Sequence, residues 1–262
     1  MSPEQTILLS ILVPFLGAAL IALTWTNPNI RETITLITGA ILFYLVSSIY
    51  PAVAGGAQPS VILFEMLPGL AIAFTVEPLG MIFAAIVSFL WIITTVYSIG
   101  YMRGHDEQNQ TRFYVLFAIA IGAAIGIAFA GNMLTLFVFY EVLTISTFPL
   151  VTHHGTPEAK RAGRVYLGIL LTTSIAFQLV AIIWTWSLVG TLDFTQGGIL
   201  NGKVGGLTAA ILLGLYVFGI GKAALMPFHR WLPAAMVAPT PVSALLHAVA
   251  VVKAGVFTVL KV

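Results

Sequence analysis

Residues 219–262, GIGKAALMPFHRWLPAAMVAPTPVSALLHAVAVVKAGVFTVLKV, decide the fold of this chain. The stretch is apolar enough for a membrane, yet prolines interrupt it and it carries Lys222, His229, Arg230, His247 and Lys253. A charge at bilayer depth costs about 2.5–3.5 kcal/mol on insertion scales, so such residues usually face protein or water along an ion pathway. Proline in a membrane helix frees backbone groups, which is tolerated where the break lines a polar cavity. Two broken, lysine-bearing helices in succession therefore indicate a path for charge.

The composition of the whole chain is that of a membrane protein. Of its 262 residues, 59% are hydrophobic and 8% are charged, and the mean hydropathy is +1.03. A soluble domain carries about 25% charged residues. The absence of cysteine excludes disulfides, thiolate zinc sites and iron–sulfur ligation. The formal net charge of +2 is too small to indicate a nucleic-acid partner.

Hydropathy predicts an all-α, polytopic membrane helix bundle in a single transmembrane domain over residues 1–262, with the seventh and eighth helices interrupted. About eight spans are expected, each near the ~20 residues that a bilayer requires. They cover residues 6–25, 33–53, 79–99, 112–130, 132–151, 165–189, 207–227 and 241–262. The segments 51–60 and 190–206 are rich in glycine, proline and small polar residues, which is typical of exposed loops.

The two ends of the chain lead to separate expectations. The first six residues, MSPEQT, lack the positive region of a signal peptide, so the first span is expected to be retained. The last span reaches Val262 without a polar tail, so we expect a truncated product, a split subunit or a fragment.

The distribution of lysine and arginine predicts the orientation of the spans. If the spans alternate, only Lys203 and Lys261 fall on the side of the N-terminus. The basic residues of the other side are Arg31, Arg103, Arg112, Lys160, Arg161, Arg164 and Arg230. Because basic loops remain in the cytoplasm, the N-terminus is expected outside the membrane.

Glu141 lies near the middle of the fifth span, where desolvation favours the protonated form of a lone carboxylate. Lys222 is the nearest plausible partner by depth, and each residue of such a pair stabilises the charged form of the other. A pair of this kind can load and unload a proton. The alternative is a static ion pair that holds two helices together.

Three further residues are candidates for the same path. Lys222 and His229 are seven residues apart and would share one face of an unbroken helix, but Pro227 is expected to kink it. His247 and Lys253 are six apart, so both line one path only if the eighth helix bends. A histidine, with an ordinary pKa of about 6.5, suits a relay between lysines. Alternatively, each histidine is a core residue satisfied by a backbone carbonyl.

The remaining polar residues give weaker signals. His153 and His154 form an adjacent pair near Glu158, but their spacing matches no strong metal template, so a solvated loop and no metal are expected. Glu77 is either a carboxylate at the entry of the path or simply a helix start. No Walker loop, dinucleotide fingerprint or nucleophile elbow is present, so neither a cofactor nor an enzymatic site is expected within this chain.

Four motifs carry a family resemblance that extends over essentially the whole chain. They are VEPLGMIFA at 76–84, YSIGYM at 97–102, FYEVLTISTFPLV at 139–151 and KAALMPFHRWLPAAMVAPTPVSALLHAVAVVKAG at 222–255. With them the chain resembles the antiporter-like membrane subunits shared by respiratory complex I, membrane-bound hydrogenases and Mrp-type multisubunit sodium/proton antiporters.

The resemblance implies a fold and a set of site residues. The family core has fourteen helices in two inverted five-helix repeats, so helices 3–7 here correspond to the first repeat and the chain ends in helix 8. Glu141 corresponds to the carboxylate of the fifth helix and Lys222 to the lysine of the interrupted seventh. His247 and Lys253 correspond to the polar residues of the eighth, along a lysine-lined hydrated axis.

The chain departs from the family pattern in two places. Ala234 stands where LPDA is common, and Glu77 stands where aspartate is usual. The stretch HHGTPEAKRAGRVYLG at 153–168 is more similar to the Mrp and hydrogenase members than to those of complex I.

These observations lead to one principal functional hypothesis and two alternatives. The principal one is a proton-translocating, or sodium/proton-antiporting, subunit of a multi-subunit complex in a bacterial or archaeal inner membrane. Its partners would be other membrane subunits, lipid and protons, with or without sodium, and its parent complex could be a quinone oxidoreductase or hydrogenase. One alternative is a structural subunit that does not conduct. The other is the membrane component of an inorganic-carbon uptake system energised by proton flux.

Overall fold

The chain folds as a polytopic bundle of membrane helices, as predicted; its computed structural model describes residues 2–67, 69–195 and 197–262. The helices are α1 (Pro3–Leu23), α2 (Pro28–Ala54), α3 (Pro78–Gly104), α4 (Gln110–Ala128), α5 (Met133–Val151), α6 (Pro157–Thr173), α7 (Val180–Val189), α8 (Gly206–Gly219), α9 (Trp231–Ala234), α10 (Thr240–Ala244) and α11 (Val251–Lys261). Within the described residues, seven helical segments are long and apolar enough to cross a membrane, and α8 is a shorter apolar helix.

Irregular turns interrupt the last three spans. A π-helical turn, Ser174–Leu179, joins α6 to α7, and a second one, Leu245–Val249, joins α10 to α11. The seventh span was expected to kink at Pro227, but its regular helix already ends at Gly219 and is followed by separate short turns. The predicted interruptions are therefore present, and the seventh is a complete break rather than a kink.

Capping residues explain why several helices extend beyond their apolar stretches. The side chain of Asn27 accepts hydrogen bonds from the first turn of α2, and Thr156 does the same for α6. Each is followed by a proline, Pro28 or Pro157, at the first helical position, where a missing N–H costs nothing. These two helices therefore begin before the predicted residues 33 and 165.

Three connections and the arginine-bearing helix ends beside them meet at one end of the bundle, which we call the arginine-rich face and define by residues 24–32, 103–112 and 152–164. Arg103 of α3 forms an ion pair with the buried carboxylate of Glu32 on α2. Arg31 donates to the side chains of Gln110 (2.8 Å) and Thr111 (3.1 Å) at the start of α4. These contacts join the second, third and fourth spans.

A β-hairpin covers the opposite end, which we call the hairpin face. Strands β1 (Ser60–Leu67) and β2 (Leu70–Thr75) pair antiparallel. The N–H of Gly131 donates to the carbonyl of Ala73 (2.9 Å), and the Asn132 amide donates to that of Ala71 (2.7 Å). The connection between the second and third spans was expected to be a loop without strands. The hairpin was missed because its short apolar run follows the glycines and prolines of residues 51–60.

Helix α4 lies at the centre of the bundle, packed between α1 and α5. A Cβ at Gly122 would collide with the ring of Phe15 on α1, and one at Gly126 with the ring of Phe139 on α5. Glycine at both positions thus allows two large aromatic rings to lie against the helix backbone. This close packing fixes α5, the helix that carries Glu141.

Candidate functional site

The centre of the candidate site is the break after α8. The chain leaves the helix at Gly219, makes a single 3₁₀ turn over Gly221–Ala223, and turns back at Ala224, whose φ is +54°. The carbonyl of Gly221 accepts two hydrogen bonds, from the N–H of Ala224 (3.0 Å) and from the indole N–H of Trp231 (2.9 Å). A buried side chain therefore helps to satisfy the backbone of the break, as a membrane interior requires.

Lys222 occupies this turn and is fully buried. Its ammonium donates to the backbone carbonyl of Tyr140 on α5 (2.8 Å) and to the hydroxyl of Thr144. The ammonium also lies 3.2 Å from the centre of the Tyr140 ring, an arrangement that stabilises a cation. The charge is thus surrounded by a carbonyl, a hydroxyl and an aromatic face.

Tyr140 holds the backbone of the lysine as well as its side chain. The N–H of Lys222 donates to the Tyr140 hydroxyl at 3.0 Å. Next to this contact, Thr147 and Tyr166 share a hydrogen bond between their hydroxyls at 2.6 Å. These hydroxyl residues were missed in the sequence analysis, although the spacing of 140, 144 and 147 places them on one face of α5 and could have revealed them.

Glu141 follows Tyr140 at the middle of α5 and is half-buried. Both carboxylate oxygens are buried, and neither has a hydrogen-bond partner among the described residues. Within that part of the chain, no ion pair of 4.0 Å or less joins Glu141 to Lys222. The two residues therefore share α5 as a neighbour, since Lys222 bonds to Tyr140 and Thr144 on either side of Glu141 in the sequence, but they form no ion pair.

The other predicted site residues lie apart from Lys222. His229 is exposed in the turn Phe228–Arg230, on the far side of Pro227. His247 lies in the π-helical turn, and its Nε2 is buried with no hydrogen-bond partner among the described residues. Lys253 is exposed on the surface of α11.

Helix α11 nevertheless contacts the break directly. A Cβ built at Gly255 would collide with the backbone of Lys222 and Ala223. This close approach requires glycine, and it places the Lys253 turn of α11 against the segment that carries Lys222.

At the arginine-rich face, two loops bring three titratable side chains together. The Nε2 of His154 lies 3.3 Å from one oxygen of Glu107, and that of His153 lies 3.9 Å from the other. His153 was expected in a solvated loop, but it is buried, because Arg112 donates to its carbonyl (2.9 Å) and fixes the loop against α4. Burial, together with the charge of Arg112, lowers the pKa of His153. Among the described residues, no group of three histidine or acidic side chains is arranged to hold a metal ion.

A polytopic helix bundle with a helix broken around a buried lysine, and with a carboxylate that lacks donors among the described residues, defines a membrane protein with charged groups in its interior. Residues 130–262 match the family model described as NADH:quinone oxidoreductase/Mrp antiporter, transmembrane. Residues 69–114 match the model for the N-terminus of chain 5 of NADH-ubiquinone oxidoreductase (complex I). The chain belongs to this family of antiporter-like membrane proteins, as its motifs predicted.

Curated relatives carry antiporter names. A protein of Rhizobium meliloti (strain 1021), named as a probable K(+)/H(+) antiporter subunit, is 33% identical over 270 residues, which cover 98% of this chain and 26% of the relative. A putative antiporter subunit of Staphylococcus saprophyticus is 30% identical over 226 residues, covering 83% of this chain and 28% of the relative. The chain thus spans about a quarter of the length of these relatives.

Two solved structures share the fold. The archaeal membrane-bound sulfane sulfur reductase contains a chain with a TM-score of 0.86 at 22% identity; the match covers 97% of this chain and 52% of that one. The Mrp complex from Dietzia sp. DQ12-45-1b contains one with a TM-score of 0.77 at 26% identity, covering 97% and 27%. The first of these likenesses concerns the fold alone.

Proposed function

We propose that this chain translocates protons as part of a multi-subunit membrane complex that couples proton movement to another process, with exchange for a monovalent cation as the favoured case. The observation that carries the proposal is the fully buried Lys222 in a broken helix, bonded to the carbonyl of Tyr140, the residue before the unbonded carboxylate of Glu141. A merely structural lysine at this depth would be costly, and function is the usual reason to retain one. The K(+)/H(+) antiporter name of the Rhizobium relative supports the exchange of a cation for protons.

In the proposed mechanism, Lys222 is the proton carrier. Its ammonium rests on the Tyr140 carbonyl and the Thr144 hydroxyl. Glu141, three residues before Thr144, can stabilise the ammonium once the lysine side chain rotates away from these acceptors. Proton transfer to and from Lys222 would then follow the change of partner rather than a fixed ion pair.

Lys253 marks the point where the path leaves the chain. It is the 14th of the 22 residues in the segment Thr240–Lys261, and its side chain lies on the surface of the bundle. An ammonium near the middle of a bilayer is not stable against lipid. Another protein segment or water must therefore cover this face, and the path continues there. His247 and His229 are the proposed relays on either side of the break.

We propose that spans three to seven form the first repeat of the family fold, and that the arginine-rich face lies in the cytoplasm of a bacterium or archaeon. The clustered arginines of that face support this orientation. The N-terminus and the hairpin face would then lie outside.

Exchange measured with a pH-sensitive dye, in liposomes containing the complete complex, tests this function. Glu141→Gln, Lys222→Ala and Lys253→Leu should each reduce exchange to the level of empty liposomes, while the complex still assembles on gel filtration. The matched control is Lys203→Ala, which removes an exposed loop lysine and should exchange like the wild type. Normal exchange by both Glu141→Gln and Lys222→Ala would identify the pair as structural and refute the proposal.

A further inference from the structure

A second charged pair lies at the hairpin face, away from the site described above. The ammonium of Lys261, at the end of α11, is 3.3 Å from a carboxylate oxygen of Glu77. It also donates to the carbonyl of Ala130 at 2.8 Å. The rings of Phe194 and Phe257 lie 4.7 Å and 5.7 Å from the same nitrogen.

The burial of the Lys261 side chain separates this pair from ordinary surface ion pairs. The Lys261 side chain is 3% exposed and that of Glu77 is 27% exposed. An exposed pair contributes little to stability, whereas removing one partner of a buried pair leaves an uncompensated charge and is strongly destabilising. The contact between Glu77 and Lys261 therefore fixes the position of whatever the two residues are attached to.

The pair attaches α11 to three other parts of the chain. Glu77 is the residue that precedes α3, Ala130 follows α4, and Phe194 belongs to the loop between α7 and α8. From the anchored Lys261, regular helix leads back to Gly255, a distance of about 9 Å at 1.5 Å per residue. At Gly255 the same helix lies against the backbone of Lys222.

We infer that Glu77 and Lys261 are positioning residues, which set the height and rotation of α11 and thereby hold the Lys222 turn in its working geometry. This inference rests on the proposed proton translocation through Lys222. It gives Glu77 a role beside the two left open by the sequence: the carboxylate acts as an anchor for the last turn of α11.

A set of charge-removing variants in the complete complex tests the inference. Glu77→Gln and Lys261→Met should each lower the maximal exchange rate by about tenfold, and Lys261→Arg should retain it. Because both substitutions remove the same link, the double variant should be no slower than either single one. The matched control is Glu32→Gln, which breaks the buried Arg103–Glu32 pair at the opposite face without touching α11. That variant should also lose stability, because it too breaks a buried pair, but its exchange per assembled complex should stay within about twofold of wild type.

Cross-linking distinguishes positioning from general stability. Since these 262 residues contain no cysteine, a Glu77→Cys/Lys261→Cys variant introduces one defined pair of thiols into this part of the complex. A cavity of about 410 Å³ next to both residues gives a short bifunctional methanethiosulfonate access to them. Before cross-linking, the double-cysteine variant should exchange slowly. Cross-linking of the two thiols should restore the exchange rate, and reduction of the disulfides to the linker should lower it again. A fully bridged complex that stays slow, or an unbridged one as fast as wild type, would overturn the inference.

A readout that does not depend on transport separates this inference from the proposed function. In an Ala223→Cys background, Glu77→Gln should speed alkylation of the new thiol by at least about fivefold, because α11 no longer covers the turn. An unchanged alkylation rate would refute the positioning role even if exchange were lost. Faster alkylation in a complex whose wild type shows no proton movement would instead remove the proposed function and leave the anchor in place.

Discussion

Replacing Tyr140 with phenylalanine removes a single oxygen atom from the centre of the site. That oxygen accepts the backbone N–H of Lys222 at 3.0 Å, while the ring and the carbonyl that contact the ammonium remain. A buried N–H left without an acceptor costs about 1–3 kcal/mol. A penalty of that size shifts the population of the observed turn by about 5- to 150-fold. We therefore expect Tyr140→Phe to lower proton exchange by at least about fivefold.

The assay is exchange per assembled complex in liposomes, together with thermal unfolding of the purified complex. The matched control is Tyr216→Phe, which removes a buried hydroxyl bonded to Thr185 at 2.8 Å. Both variants should lose comparable thermal stability, but only Tyr140→Phe should lose exchange. Wild-type exchange by an intact Tyr140→Phe complex, or equal losses in both variants, would refute the reasoning that this hydroxyl positions the lysine.

Three other predictions follow from the packing, the loop histidine and the charge distribution. Gly255→Ala should abolish most exchange, because its Cβ would collide with backbone atoms of the Lys222 turn. Gly214→Ala is the control, since a Cβ there has no atom within 4 Å. Equal exchange by the two variants would contradict this prediction. Burial lowers the pKa of His153, so folding stability should be lost as the pH falls below about 6.5. The unfolding temperature should therefore drop less on acidification in His153→Phe than in wild type, and parallel curves would contradict this. Reporter fusions after Lys160 should report the cytoplasm and those near Lys203 the exterior; a reversed result would refute the assigned orientation.

The spans could be predicted from the sequence because hydropathy alone determines where a chain can cross a bilayer. The hairpin could not, since its strands are short and their stability depends on contacts with Gly131 and Asn132 in a distant loop. The break was expected at Pro227, the visible helix breaker, whereas the helix ends at Gly219, where it meets the backbone of Gln178. Such a contact, between the end of one helix and a π-helical turn in another span, leaves no pattern in the local sequence.

The candidate site, like the fold, has parts that the sequence predicts and parts that it does not. Glu141 and Lys222 could be selected as candidates from the sequence, because charged residues within apolar stretches are easily recognised. The contacts of Lys222 could not be predicted. Two residues at a similar depth in the membrane need not touch, and other acceptors on α5 lie closer to the ammonium. Tyr140 and Thr144, ordinary residues for an apolar helix, take the place that the carboxylate was expected to have.

The shortness of α8 has a consequence for how the protein is made. Its 14 residues extend about 21 Å at 1.5 Å per residue, less than the hydrocarbon thickness of about 30 Å. Irregular backbone completes this crossing, and such backbone is tolerated in a bilayer only when protein surrounds it. The groups that cover it include α11, which is synthesised later. During biogenesis the seventh span is therefore not expected to insert into lipid alone. We expect it to stay out of contact with lipid until the eighth span has been synthesised, and the two spans to insert together.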